Sequence, residues 1–259
     1  MQLLMLWIPF GFVLGILSYV SVLDLRKREV SNWVWLLTYP IGCAMTLTGW
    51  ALNLLDIQAV LVSFFASIVL GVLLLYVGFY GGADVKALVF VGLTLPTLPV
   101  VFSPVLGVPA LPLILVVFCN SALLSMVWPL SIFILNLKDS LQGKFLFEGI
   151  KLSMREKVLL LFTARRIPLA ELEKKTLRYF PAETVVLQEG KSTRKLLHLM
   201  KAETNPSKYV NNLKEHKELC KKGVLASPTI PSTIFLTLAL TTAPIGPLLF
   251  WIIILLGLI

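Results

Sequence analysis

The sequence predicts an all-α polytopic membrane protein: six transmembrane helices, with a small α+β cytoplasmic insertion between helices five and six. Three observations carry this. Mean hydropathy is +0.87, with 57% hydrophobic and only 14% charged residues, more apolar than a soluble core requires. Several apolar runs approach the ~20 residues that cross a bilayer as helix. The cationic residues, which drive the formal net charge of +9, are confined to a few segments.

Taken in order, the spans read as 3–23, 33–50, 58–79, 85–98, 110–136 and 231–257. The first is too long, and too well followed by other spans, for a cleaved signal peptide. It also lacks a basic leading region and a small-residue cleavage site. Ser31 or Asn32 can cap the second. The fourth is the shortest and is bounded by Pro96 and Pro99. The chain thus divides into 1–136 with five helices, a polar insertion at 137–229, and 230–259 with the sixth.

Charge placement sets the expected topology. Every Lys and Arg except Arg26, Lys27, Arg28 and Lys86 lies in the insertion. With six spans, the Arg26-Lys27-Arg28 loop, the loop holding Lys86 and the insertion share one side. Only Asp56 is charged on the other. The positive-inside rule makes the basic side cytoplasmic and both termini extracytoplasmic. The Arg26–Arg28 cluster serves as a topology anchor.

Within the insertion, 153–167 reads as an amphipathic helix, with Val158, Leu159, Leu160 and Phe162 apolar and Arg155, Lys157 and Arg165 elsewhere. Segments 184–188 and 224–226 are strands that could pair with each other. Segments 194–200 and 209–220 are helical by pattern. The basic surface suits anionic lipid headgroups. Nucleic acid is not expected, since basic and aromatic residues are not interleaved. The three cysteines, Cys43, Cys119 and Cys220, form no C-x-x-C, so neither a zinc ribbon nor a disulfide framework is implied.

Two aspartates stand out. Asp24 closes the first span and Asp84 opens the fourth, after Gly81-Gly82-Ala83. A carboxylate at membrane depth costs roughly 3 kcal/mol on insertion scales, so it marks a function. The topology puts both at the cytoplasmic rim, where two carboxyls on neighbouring helices can converge on one water. A close pair shares one proton. The ionised member can activate water while the protonated member polarises a carbonyl. The only histidines, His198 and His216, lie in the insertion and read as surface residues. Gly81, Gly82 and Ala83 permit close backbone approach by an extended substrate, or simply a tight turn. Lys86 can act on Asp84 or snorkel to headgroups.

The pattern Asp24-x-Arg26-x-x-x-Val30-x-Asn32 with Gly81-Gly82-Ala83-Asp84-x-Lys86 resembles the archaeal prepilin and preflagellin peptidases, G-x-G-D intramembrane aspartyl proteases related to bacterial type IV prepilin peptidases. The order of spans and insertion is similar, as is Ser227-Pro228-Thr229-Ile230-Pro231 before the last span. The resemblance implies Asp24 and Asp84 as catalytic residues, Gly81 as the first motif glycine, and Ala83 in place of the second. It implies no metal or other cofactor. It also implies partners: precursors with pilin-like or archaellin-like class III signal peptides, cut at the cytoplasmic membrane face. Leader lysines could meet Glu29, Asp139, Glu148 or anionic lipid. The zinc-binding methyltransferase part of bacterial relatives is absent from the sequence. Three other readings compete. A proton- or cation-coupled transporter would use the same carboxylates. A non-catalytic adaptor would act through its basic insertion. A signal-peptide-peptidase-like enzyme would cut in mid-helix.

Overall fold

The computed structural model describes residues 2–78, 80–98, 112–144, 146–150, 152–188, 191–197, 206–248 and 252. In chain order the elements are α1 (Gln2–Lys27), α2 (Asn32–Ala51), α3 (Ile57–Val77), α4 (Gly82–Thr94), α5 (Leu113–Ser125), α6 (Val127–Leu141), α7 (Met154–Thr163), β1 (Arg165–Ile167), α8 (Leu169–Lys174), β2 (Tyr179–Pro181), β3 (Glu183–Gln188), β4 (Lys191–Leu196), α9 (Pro206–Glu215), β5 (Val224–Pro228) and α10 (Ser232–Thr242). Short 3₁₀ turns cover Lys217–Cys220 and Ala243–Ile245. The chain divides into two compact units: Met1–Ser125 with Pro231–Ile259, and Met126–Ile230.

Among the described residues, three stretches are long and apolar enough to cross a membrane: Trp7–Lys27, Ile57–Val77 and Leu113–Leu141. The other expected spans differ for identifiable reasons. At 20 residues α2 has the length, but tryptophan, tyrosine, threonine and glycine dilute its hydropathy. Only 13 residues form α4, about 20 Å of helix against a ~30 Å hydrocarbon core. It ends at Thr94 because Pro96 disfavours helical backbone at the residue before it. The described apolar helix of the last expected span is Ser232–Ile245. Most of its remainder, and residues 99–111, which include the start of the expected fifth span, lie outside the described residues. The fifth apolar stretch is interrupted by a turn at Met126. Pro129 has no N–H to offer the Ser125 carbonyl, and the helix restarts at Val127.

In the first unit α4 is the hub, touching α1, α2, α3, α5 and α10. Ala87, Leu88, Phe90 and Val91 are wholly buried among Val13 and Leu17 of α1, Ile114 and Val117 of α5, and Leu236 and Leu240 of α10. Small residues let the backbones close in, the usual device where lipid gives no hydrophobic drive to helix pairing. A Cβ on Gly92 would lie 2.5 Å from Ser67 Cβ and 2.9 Å from the Ser63 carbonyl oxygen. One on Gly71 would lie 2.8 Å from Val85 Cγ1. Phe90 meets Phe12, Trp35 and Tyr39 with ring centroids 5.7–6.2 Å apart. The Leu93 carbonyl, near the end of α4, accepts from Thr46 Oγ1 at 2.8 Å. These contacts fix the depth and rotation of α4, and with them Asp84.

In the second unit, Phe133 of α6 stacks on Phe162 of α7 at 4.8 Å, and Asn136 Nδ2 donates to the Leu161 and Ala164 carbonyls. One antiparallel sheet has the order β1-β5-β2, and β3 and β4 form a separate hairpin. Several expectations are corrected here. The 184–188 strand exists, but it pairs with 191–196 rather than with 224–226, which instead joins β1 and β2. The expected helix at 194–200 begins as strand β4, its last residues lying outside the described ones. The helix over 153–167 stops at Thr163 and yields to β1. Val158 and Leu159 face outward, and Leu160 is the buried residue. The hairpin register follows a buried ion pair. Glu183, fully buried, accepts from Arg194 Nε at 3.0 Å and from the Leu225 N–H at 2.9 Å.

Candidate active site

Asp24 sits in the last turn of α1 and Asp84 is the third residue of α4. Both are half-buried. Asp84 is fixed first by its own helix. Gly81 is the N-cap, in extended conformation, and its N–H donates to Asp84 Oδ2 at 3.0 Å. A carboxylate at this position satisfies a free N–H and lies at the positive end of the helix dipole.

The first turn of α10 ties the two aspartates to one place. Ser232 Oγ donates to Asp84 Oδ1 at 2.5 Å, and Thr233 Oγ1 donates to Asp24 Oδ2 at 3.0 Å. One turn deeper, Ser21 of α1 and Thr237 of α10 bond at 2.8 Å. Thr237 already donates to the Thr233 carbonyl at 2.9 Å, so Ser21 is the donor. A seam of hydroxyls thus joins α1 to α10 directly below Asp24. Buried Asn120 of α5 bonds the Gly246 carbonyl and the Leu248 N–H and so anchors the far end of α10.

Asp24 and Arg28 both lie within electrostatic reach of Asp84. Arg28 adopts a left-handed conformation (φ 55°), and its N–H closes α1 on the Asp24 carbonyl at 3.0 Å. Tyr80, just before the motif, bonds Ser121 and also lies near Asp84.

The remaining motif residues have specific places. Lys86 turns away from the carboxylates: its Nζ donates to Asn32 Oδ1 at 2.6 Å, while Tyr39 Oη donates to the Lys86 carbonyl at 2.8 Å. Asn32 is the first residue of α2, behind the cap Ser31. The spacing of Asn32 and Lys86 therefore records an α2–α4 clasp. Gly81, Gly82 and Ala83 form the start of α4, none with positive φ. A Cβ on Gly81 would lie 3.5 Å from Asp84 Oδ2, an ordinary contact, and one on Gly82 would meet nothing within 4 Å. The position that needs glycine is Gly78, the left-handed cap of α3 at φ 84°.

Sequence reasoning missed Ser232, Thr233, Arg28 and Gly78. The only trace of the first two is a pair of hydroxyls after Pro231, where a long polar segment gives way to an apolar one. Among the described residues no three His, Cys, Asp or Glu side chains group to hold a metal ion. His216 bonds its own helix at the Asn212 carbonyl, and His198 lies outside the described residues. Of the acids expected to meet a basic leader, Asp139 is paired with Arg165 at 2.9 Å, and Glu148 is paired with Lys222. Glu29 is exposed.

Comparison with known proteins agrees with this geometry. Residues 11–137, which hold both aspartates and the glycine segment, match the type IV leader peptidase family. The chain is also 26% identical to the preflagellin peptidase of Methanococcus voltae over 243 residues, covering 90% of this chain and 94% of that protein. The aspartates on adjoining helices fall inside the matched region, and the chain is a protease similar to the type IV leader peptidases, with helices long and apolar enough to cross a membrane.

Proposed function

We infer that the protein is an intramembrane aspartyl endopeptidase that removes class III signal peptides from pilin-like or archaellin-like precursors. The observation that carries this is the convergence of Asp24 and Asp84 on the two adjacent hydroxyls of α10. On this reading the two carboxyls share one proton. The ionised one takes a proton from water as its oxygen attacks the scissile carbonyl. The protonated one gives its proton to the carbonyl oxygen, and a gem-diol forms. Reversal of both transfers protonates the departing amine and restores the pair. No covalent enzyme intermediate is needed.

The substrate class rests on the family and on the charge pattern. A class III leader is short and basic, ahead of a long apolar helix, and is cut at their boundary. Cytoplasmic placement of the Arg26–Arg28 loop and of the basic segment 137–229 puts both aspartates at that level, with the termini outside. On this reading 137–229 is a cytoplasmic insertion between membrane parts 1–136 and 230–259. The open side of Gly82 gives an unwound substrate backbone room beside Asp84.

The test is cleavage of a panel of pilin-like precursors by the purified native chain, Asp24→Asn and Asp84→Asn, with the cut site read by mass spectrometry. Leader-boundary cleavage lost in both variants is the expected result. Survival of cleavage in either, or cleavage in mid-helix, sinks the reading.

A further inference from the structure

We propose that the two aspartates have fixed and different roles, Asp84 the base and Asp24 the acid, and that Ser232 and Thr233 are the positioning residues that hold the two carboxyls in place. This rests on the aspartyl reading above and adds to it the division of labour.

Three features of the geometry separate the carboxyls. The first is helix polarity. Asp84 is three residues past the N-cap of α4, where the helix dipole and free N–H groups favour an anion. Asp24 is in the last turn of α1, where the dipole favours the neutral acid. The second is hydrogen bonding. Both Asp84 oxygens accept, Oδ1 from Ser232 and Oδ2 from the Gly81 N–H, an arrangement that holds a carboxylate. Among the described residues, Asp24 accepts at Oδ2 alone, from Thr233, leaving Oδ1 for a proton aimed at substrate. The third is charge. Arg28, from the segment after α1, is a cation within electrostatic reach of Asp84. Among the described residues, the charged or titratable groups facing Asp84 are Asp24, Arg28 and Tyr80. Lys86 is bonded to Asn32, and α10 presents hydroxyls only.

The proton path balances. Water loses a proton to Asp84 as its oxygen bonds the scissile carbon, and the Asp24 proton moves to the carbonyl oxygen. In collapse Asp84 gives its proton to the amine nitrogen as the C–N bond breaks. Asp24 recovers one from a gem-diol hydroxyl. The pair ends as it began.

The experiment is the pH dependence of kcat/KM for the native chain in proteoliposomes on a precursor that it cuts, beside Ser232→Ala, Thr233→Val and the conservative Ser232→Thr and Thr233→Ser. The acid limb reports protonation of the base, the alkaline limb ionisation of the acid. A hydroxyl bonded to a carboxylate favours its ionised form, so losing the bond raises that group's pKa. Ser232→Ala is expected to move the acid limb to higher pH by about one unit, and Thr233→Val the alkaline limb by a similar amount. The conservative variants keep both limbs near their native positions and report on the proposal should an apolar variant fail to fold. Reversed limbs, or limbs that stay in place while activity simply falls, overturn the assignment yet leave the dyad standing if Asp24→Asn and Asp84→Asn are both dead. Activity in either Asn variant removes the dyad itself, and the assignment with it.

Discussion

Lys86 and Asn32 are joined at 2.6 Å across α4 and α2, which turns the one lysine of the glycine motif away from the adjacent catalytic candidate Asp84. The sequence spacing alone allows a lysine that acts on Asp84 or one that snorkels to the headgroups. In the fold that cation closes an interhelical clasp, together with the Tyr39 hydroxyl on the Lys86 carbonyl. Lys86→Met is therefore expected to cost stability, about 1 kcal/mol for a partly exposed bond. It should leave the acid limb of the pH–activity profile in place, and Asn32→Ala should behave alike. Thermal melts and pH profiles of both variants check this. A limb moved by Lys86→Met but not by Asn32→Ala would show that the lysine acts on Asp84 after all.

The glycines separate by what they hold. A side chain at Gly92 must push α3 off α4 at Ser63 and Ser67, so Gly92→Val is expected to lose about 1–3 kcal/mol and much of the folded yield. Gly78→Ala places a side chain at φ 84°, a strain of about 1–2 kcal/mol. Gly82→Leu faces open space and should fold normally. If substrate backbone passes beside Gly82, that variant raises KM while kcat changes less. Melting temperatures rank the first two, and steady-state kinetics on a precursor decide the third.

What the sequence makes legible follows from which forces leave a pattern. The long apolar runs of α1 and α3, the proline stop beyond α4 and the carboxylates at helix ends can be read directly, because burial and the missing proline N–H act on residues near in sequence. The β3–β4 hairpin is hidden, because its register turns on Glu183 meeting Arg194. A buried salt bridge looks like surface polarity in a hydropathy profile. Lys191–Leu196 is rich in cations and carries no apolar alternation, so nothing in it signals a strand. Ser232 and Thr233 are hidden for a different reason. A hydroxyl becomes part of a site only through the helix that aims it, and α10 is aimed by contacts with α1, α4 and α5 made far away in sequence.

Cys220 provides a check on the second unit. It is packed with Val210, Leu213 and Val224, and burial pushes its thiol above the usual range. Little thiolate is available near neutral pH, and the sulfur is shielded. Iodoacetamide is expected to leave Cys220 unmodified in the native chain and to label it once denaturant unfolds the unit. Peptide mass spectrometry reads both states. Rapid native labelling would mean that this core opens far more often than its packing implies.

The Glu183–Arg194 pair predicts an asymmetric mutational response. Glu183 is fully buried and serves three donors at once: two Arg194 nitrogens and the Leu225 N–H, which links the hairpin to the β1-β5-β2 sheet. Arg194 also binds the Gly223 carbonyl at 3.0 Å, beside a glycine held at φ 91°. Arg194→Met leaves a buried carboxylate with one remaining donor and is expected to cost about 3–5 kcal/mol. Glu183→Gln keeps the shape and one acceptor, and should cost less. Replacing both, Glu183→Leu with Arg194→Met, removes the stranded charge and should recover part of the loss, as buried pairs do when exchanged together. A double-mutant cycle on the unfolding transition of the full chain, with Glu183→Leu and Arg194→Met as its single variants, measures the coupling. Simple addition of the two single losses would show that the pair sets no register and that the hairpin is held by its backbone ladder alone.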